Sequence, residues 1–321
     1  MRVDPAIAAL RRDPALQRQA QQTLISACEN WRAGPDVDPL VADLARYGSG
    51  ASLHTCRGLA ALFTKPGHAA KIAGAMVRRF CAVLADQPFG QMPFRHAADG
   101  QVASLLLLRA GRAQLVLHAR EPGQWTHDQA SFSDEERTEI VLAGRGEGQI
   151  VRPPVITGAP LPVTPIAWRR GTHHTWVLRN ACRQVMRVDQ RLVVLRLNRH
   201  VAAPAPTRHY RVADGTMSHQ SAGSLHTSRQ EMMLAILGRM GRTEAAPEMA
   251  ALAGDRRADE SLRWQALREC LALDSGVGFA ALSHLAQDQT DPLAKAAAAL
   301  RAQLVEAHPQ LDAMDQQPCL A

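Results

Sequence analysis

The chain has 321 residues, of which 46% are hydrophobic, 21% are charged and 4% are aromatic. This length and composition exclude a disulfide-stabilised mini-protein and a wholly disordered chain, and they allow two or three compact units. The formal net charge is +7. The basic residues are scattered and show no helix-turn-helix or zinc-finger spacing, so the sequence disfavours nucleic acid as a partner.

The cysteines and the longest uncharged segment bear on where the protein resides. The six cysteines occur singly, with no two at CxxC spacing, which is typical of reduced thiols. The uncharged segment 153–168 contains five prolines, so it cannot form a membrane-spanning helix. The first residues have no apolar run of the kind found in signal peptides. We therefore expect a cytoplasmic protein without a membrane partner.

The first 90 residues have the pattern of a helical region. Asp-Pro pairs such as Asp38-Pro39 are typical helix starts, because the aspartate accepts backbone N–H groups and proline has none to lose. Further along, Ile72, Met76 and Phe80 recur at the spacing of one helix face. The sequence therefore predicts a helical N-terminal region over 1–90.

Between residues 91 and 222, short apolar segments alternate with turns, which indicates β structure. The glycine-rich segment 143–148 predicts a turn between strands, and Asp189-Gln190 predicts a hairpin break. No helical segment separates the strands, so we expect an antiparallel sandwich or barrel. The predicted strands are 102–108, 113–118, 138–142, 149–151, 175–179, 183–188 and 191–197.

From residue 223 to 321 the helical period returns. Ser228 and Glu231 have the spacing of a capping box at a helix start. A shift of 33 residues aligns several apolar and turn positions, for example Asp255 with Asp288. Such an offset indicates helical-hairpin repeats, and the pattern resembles HEAT-type repeats.

The middle region carries a second resemblance. Residues 115–151 give a strand, a glycine turn, a histidine-bearing stretch and the letters EIVLAG, and residues 171–197 give a strand, a turn and a last strand ending in VVLRL. This order resembles the two halves of a cupin jelly roll. The whole chain is then predicted to be α+β: a helical region (1–90), an antiparallel cupin-like β domain (91–222) and an α-helical hairpin, HEAT-like region (223–321).

The cupin resemblance implies a candidate metal site. Nine of the thirteen histidines lie between residues 96 and 226, and metal-binding cupins use closely spaced histidines, a carboxylate and a later histidine. The matching positions are His118, His127 and Glu139, completed by one member of the His173-His174 pair. A ferrous ion held by two histidines and one carboxylate would activate oxygen.

Two departures from that ligand set support a different interpretation. Gln129 stands where a further histidine is expected, and the later position lies beside Arg183, which cannot ligate a metal. An inward-facing Arg183 would favour an anionic group such as a carboxylate. Trp125 and Trp176 would form the floor of its pocket.

Two function classes therefore stay open, and with them whether the chain is an enzyme. The first is a cytoplasmic ligand- or partner-binding, regulatory protein, whose cupin-like domain has a degenerate metal site and takes a small anionic ligand or a protein partner. The alternative is a metal-dependent, Fe(II)-type cupin oxygenase that uses His118, His127 and Glu139 with a divalent metal, iron, as its cofactor.

Overall fold

The structure is a computed structural model that describes residues 14–65, 67–156 and 158–311. The beginning of the predicted region 1–90 and the end of the predicted region 223–321 lie outside the described residues. The chain is an α+β protein whose strands pair antiparallel.

The chain divides into two compact units. The first consists of Met1–Pro204 with Arg208–His219, and the second consists of Ala205–Thr207 with Gln220–Ala321. The first unit therefore contains both the predicted helical region and the predicted β domain. The division after His219 lies beside the boundary that the sequence predicts at 222.

In the described residues, four α-helices precede the first strand, and each presents an apolar face. Pro39 lies in the first turn of the second helix, where its missing N–H costs nothing. Trp31 in the first helix packs edge-to-face against Phe80 in the fourth, with 6.4 Å between the ring centroids. The helices are α1 (Ala15–Arg32), α2 (Asp38–Gly48), α3 (Arg57–Thr64) and α4 (His68–Asp86).

Eleven strands follow in the described part of the chain. The larger sheet has the order β1-β2-β3-β9-β6-β7, with β4 paired to β9 and β8 paired to β6, and the smaller sheet has the order β11-β10-β5. The strands are β1 (His96–Ala98), β2 (Val102–Ala110), β3 (Ala113–Arg120), β4 (Gly123–Gln124), β5 (Gln129–Phe132), β6 (Glu135–Val151), β7 (Val163–Arg169), β8 (His173–Val177), β9 (Cys182–His200), β10 (Thr207–Arg211) and β11 (Met217–Ser221).

Two of the turn predictions are wrong, because the segments concerned lie inside single long strands. β6 runs through the glycine-rich segment 143–148, and β9 runs through Asp189-Gln190. The pairing of β6 with β9 shifts register several times around that segment, and such bulges bend a strand pair. Gly144 has φ +85, and a Cβ there would lie 2.1 Å from the carbonyl oxygen of Arg191. The glycines thus allow a bulged, closely packed strand pair.

The predicted domain boundary at residue 90 is not a boundary between compact units. Ile140, Leu195 and Leu197 on one face of the larger sheet belong to the same buried cluster as Trp31 and the other apolar residues of α1 to α4. An apolar sheet face must be covered, and here the N-terminal helices cover it. The helices are therefore one layer of the unit that contains the site described below.

The described residues of the second unit form five α-helices. The first begins at Leu225, and Ser224 caps it by accepting a hydrogen bond from the backbone N–H of Thr227, so the capping box predicted at Ser228 is wrong. No helix of the described residues is both long enough and apolar enough to cross a bilayer. The helices are α5 (Leu225–Arg239), α6 (Ala246–Gly254), α7 (Glu260–Leu273), α8 (Ser275–Gln287) and α9 (Ala294–Ala307).

The predicted offset of 33 residues has a counterpart in the turns of this unit. Asp255 follows α6 and Asp288 follows α8, and each uses Oδ1 to accept a backbone N–H two residues on, from Arg257 and Thr290. The two aspartates thus make the same kind of Asx turn between consecutive helices.

Candidate functional site

The bend in β6 and β9 brings the two halves of these strands over one another and creates an interior. Val141 and Val194 lie in the halves next to β8 and β3, and Val185 and Val188 lie in the opposite half of β9. All four belong to one buried cluster with Trp168 of β7. We refer to this interior as the cup.

Side-chain alternation decides which residues face the cup. Ile140 and Leu195 belong to the core shared with the helices, so their neighbours Glu139 and Arg196 point the other way, into the cup. The strand register places Arg196 of β9 and His174 of β8 on either side of Glu139. Three polar side chains therefore form one row across the sheet.

Glu139 is fully buried at the centre of this row. Its Oε1 accepts a hydrogen bond from Trp168 Nε1, and its Oε2 accepts one from Arg196 Nε, both at 3.1 Å. Arg183 comes from the other half of β9, and its Nε lies 3.2 Å from Glu139 Oε1. One carboxylate is thus shared by two guanidinium groups, and the cluster has one more positive than negative charge.

Arg183 is held firmly in the cup, but its hydrogen-bonding capacity is largely unused. Its side chain is only 7% exposed, and its guanidinium lies 4.7 Å from the centroid of the Trp168 ring. Its Nε is near Glu139 without the alignment of a hydrogen bond, and no described residue accepts one from its terminal nitrogens. Burial lowers the pKa of Arg183 and Glu139 raises it, and a guanidinium keeps its charge through such shifts.

The pKa of His118 reflects the burial and the charges of its surroundings in the cup. Its pKa is lowered to about 4, first by burial and then by the positive charges of Arg137, Arg183 and Arg120. The imidazole is therefore neutral at physiological pH. Burial disfavours a charge of either sign, whereas the three arginines favour a negative charge near them.

His174 also has an unused polar atom. Its ring stacks on Trp176 with 4.9 Å between the centroids. Its Nε2 and Arg183 Nε are the two buried side-chain nitrogen or oxygen atoms in the described residues that lack a hydrogen-bond partner. Burial is the main cause of the lowered pKa of His174, and Glu139 opposes it. A buried polar atom without a partner costs free energy, so this pair marks a place for a further polar group.

A cleft of about 310 Å³ opens on the same sheet face, where its lining includes His118 and Asn198. Arg95 and Arg109 also line the cleft, and neither has an ion-pair partner among the described residues. No carboxylate lines the cleft. It therefore offers a polar, cationic surface to an anion.

The three predicted metal ligands do not come together as a ligand set. His127 Nε2 donates to the backbone carbonyl of Val185 at 2.9 Å, and both oxygens of Glu139 are hydrogen-bonded within the cup. In the stretches of chain that the structure describes, no three His, Cys, Asp or Glu residues are grouped to hold an ion. His173 faces away from His174, because neighbours on a strand point to opposite sides.

The two tryptophans predicted to floor the pocket lie in different surroundings. Trp176 stacks on His174, next to the row of polar residues. Trp125 donates from its indole N–H to Gln101 and lies under the guanidinium of Arg120, 4.6 Å from it. Trp176 thus borders the polar groups of the cup, whereas Trp125 packs against its apolar cluster.

The site residues predicted from the sequence do not include two members of the cluster. Arg196 is part of the sequence Leu-Arg-Leu-Asn, where a charged residue alternates with buried leucines, and that alternation is a readable sign of a polar inner face. Trp168 follows the proline-rich segment, and no local pattern there reveals that its indole donates to Glu139.

Comparisons with known proteins give structural likenesses over about a third of the chain. A scan against protein-family models finds no match, and a search of curated proteins finds none. A cupin superfamily protein from Desulfitobacterium hafniense is similar at 14% identity and a TM-score of 0.24, over 33% of this chain and 83% of that one. A sugar phosphate isomerase of the cupin superfamily from Silicibacter pomeroyi is similar at 13% identity and a TM-score of 0.25, over 35% and 65%.

Pumpkin seed globulin is similar at 13% identity and a TM-score of 0.28, over 36% of this chain and 35% of that one. The chain thus spans about a third of the globulin and under two thirds of the isomerase. The strand pairing and the side-chain contacts define the cup.

Proposed function

We propose that the cup binds a small anionic ligand and that Arg183 is its anchor. One observation carries the proposal: the guanidinium of Arg183 is buried and oriented by Glu139 and Trp168, yet its terminal nitrogens donate to no described residue. An arginine fixed in this way can bind a carboxylate through two parallel N–H···O bonds.

The charge of the surroundings supports an anion. Glu139 balances only one of the two guanidinium groups beside it, and an uncompensated buried charge is unfavourable. A bound anion would supply the missing negative charge. Arg95 and Arg109 line the cleft on the same sheet face and add positive charge that would attract an anion.

The proposal includes the finer assignment made from the sequence, a cupin-like domain with a degenerate metal site that acts by ligand binding. Its support is that Arg183 and Arg196 use the carboxylate that a metal would need. In the C-terminal unit, the equivalent turns at Asp255 and Asp288 support the HEAT-type interpretation of the two hairpins.

A thermal-unfolding titration tests the anion site. Sodium propionate and sodium phosphate are titrated against sodium chloride at matched ionic strength, because a ligand that binds only the folded state raises its stability. We expect at least one of the two to raise the unfolding midpoint beyond chloride. The shift should vanish in Arg183→Met and persist in Arg187→Met, which removes an exposed arginine of the same strand.

A third variant guards against loss of folding. Arg183→Lys keeps the charge but not the planar fork, so it should retain part of the response. Absence of any anion-specific shift in the wild type, or an equal shift in folded Arg183→Met, would overturn the proposal.

A further inference from the structure

The two unpartnered buried atoms of the cup lie beside the same carboxylate. Arg183 Nε is 3.2 Å from Glu139 Oε1, and His174 is the cross-strand neighbour of Glu139. Directly opposed residues of neighbouring strands have Cβ atoms about 5 Å apart. Two separate residues thus present unused polar atoms beside one buried carboxylate.

The chemistry of His174 restricts the group that can satisfy it. Neither ring nitrogen has a hydrogen-bond partner among the described residues, so nothing in the fold fixes which nitrogen carries the proton. A hydroxyl can donate to a bare ring nitrogen or accept from an N–H, and it therefore fits either tautomer. A carbonyl or a second carboxylate can only accept.

We propose that the ligand of the cup is a small hydroxy acid, whose carboxylate binds Arg183 and whose hydroxyl binds His174. This inference rests on the proposed function and adds to it the ligand class and a second binding residue. Because both side chains flank Glu139, the hydroxyl belongs on the carbon that carries the carboxylate or on the next one.

The charge of the cluster further favours a monoanion. Glu139, Arg183 and Arg196 together have one positive charge in excess. One carboxylate balances them, whereas a dianion would leave a negative charge beside the buried Glu139. The neutral hydroxyl adds recognition without adding charge.

Matched ligands that differ by one hydroxyl test the inference. Dissociation constants are measured by titration calorimetry for lactate against propionate, and for glycolate against acetate. In the wild type we expect the hydroxy acid of each pair to bind about tenfold more tightly, as one added hydrogen bond would give. The preference should fall to about one in His174→Phe, which keeps a ring beside Trp176.

The neighbouring histidine provides the control. His173→Phe changes the other face of β8 and should leave the preference intact. Failure of lactate, propionate and phosphate alike to bind would end the proposed function itself, whereas binding of phosphate alone would overturn only the hydroxy-acid inference. Equal binding of the paired ligands, or a preference that survives in His174→Phe, would overturn only the hydroxy-acid inference. His174→Gln, which restores a donor and an acceptor, should recover part of the preference if the phenylalanine variant folds poorly.

Discussion

Each unit of the protein buries an arginine, and the two arginines are used differently. In the helical unit, Arg263 is 2% exposed, donates to both oxygens of Asp291 and donates from Nε to the carbonyl of Ala253 at 2.9 Å. In the β unit, Arg183 is 7% exposed and makes no aligned hydrogen bond to the described residues. Both arginines are buried, and they differ in how many of their donors the fold satisfies.

The clusters around Arg263 and Arg183 also differ in net charge. Arg263 and Asp291 form a pair of one cation and one anion, and the half-exposed Arg256 touches its edge. In the cup, one carboxylate serves two buried guanidinium groups. Arg256 also pairs with Asp288, so the helical cluster is balanced in charge, whereas the cluster in the cup has one positive charge in excess.

The largest effect on stability is expected when the carboxylate of Glu139, which two arginines share, is removed. Glu139→Gln keeps the shape of the side chain but leaves Arg183 and Arg196 without a negative partner. Removing one member of a buried ion pair costs about 3–5 kcal/mol, so the free energy of unfolding of the β unit should fall by about 4 kcal/mol. Hydrogen exchange, followed by peptide, measures this unit separately.

Glu147→Gln is the matched control, because Glu147 lies exposed on the same strand. It should change stability by less than about 0.5 kcal/mol. A similarly small loss in Glu139→Gln would mean that the carboxylate does not hold the cluster together.

The comparison of the arginines gives the next prediction. Arg263→Met strands Asp291 and the carbonyl of Ala253, so the helical unit should lose about 3 kcal/mol. Arg183→Met leaves Glu139 paired with Arg196 and Trp168, so the β unit should lose less than about 1 kcal/mol. Hydrogen exchange on both variants measures the two losses of unfolding free energy. Equal losses would contradict the division between structural and binding arginines.

Local patterns predicted which segments are helices and strands better than they predicted the turns. The glycine-rich segment 143–148 was expected to form a turn, because a turn and a bulge both need small residues. The choice between them depends on pairing with β9, some 40 residues later in the chain, and no local window contains that partner. The prediction of a hairpin break at Asp189-Gln190 is wrong for the same reason.

The candidate site was predictable only in part. The sequence marked Arg183 as inward-facing and anion-binding, because an arginine occupied a position where a metal ligand was expected. The cluster itself depends on Glu139, Trp168 and Arg183 meeting from three strands. The sequence predicts that His118 and His127 hold one metal, yet His127 bonds to the opposite half of β9.

The last prediction concerns pH and tests whether burial of His118 lowers its pKa in the folded state. The pKa of His118 is about 4 when folded and 6.5 at its ordinary value. As the pH falls below 6.5, the unfolded chain takes up a proton that the folded chain does not, so stability decreases. Between pH 7 and pH 5 the β unit should lose about 2 kcal/mol through this group.

His118→Gln should remove that part of the pH dependence, and His54→Gln, at an exposed histidine, should keep it. Urea unfolding at the two pH values gives the comparison, and an identical pH dependence in His118→Gln and the wild type would assign the titration to other groups. Added salt separates the causes. Burial is the first cause of the lowered pKa and the arginines come second, so 0.5 M sodium chloride should leave most of the effect in place, because salt screens charges and not desolvation.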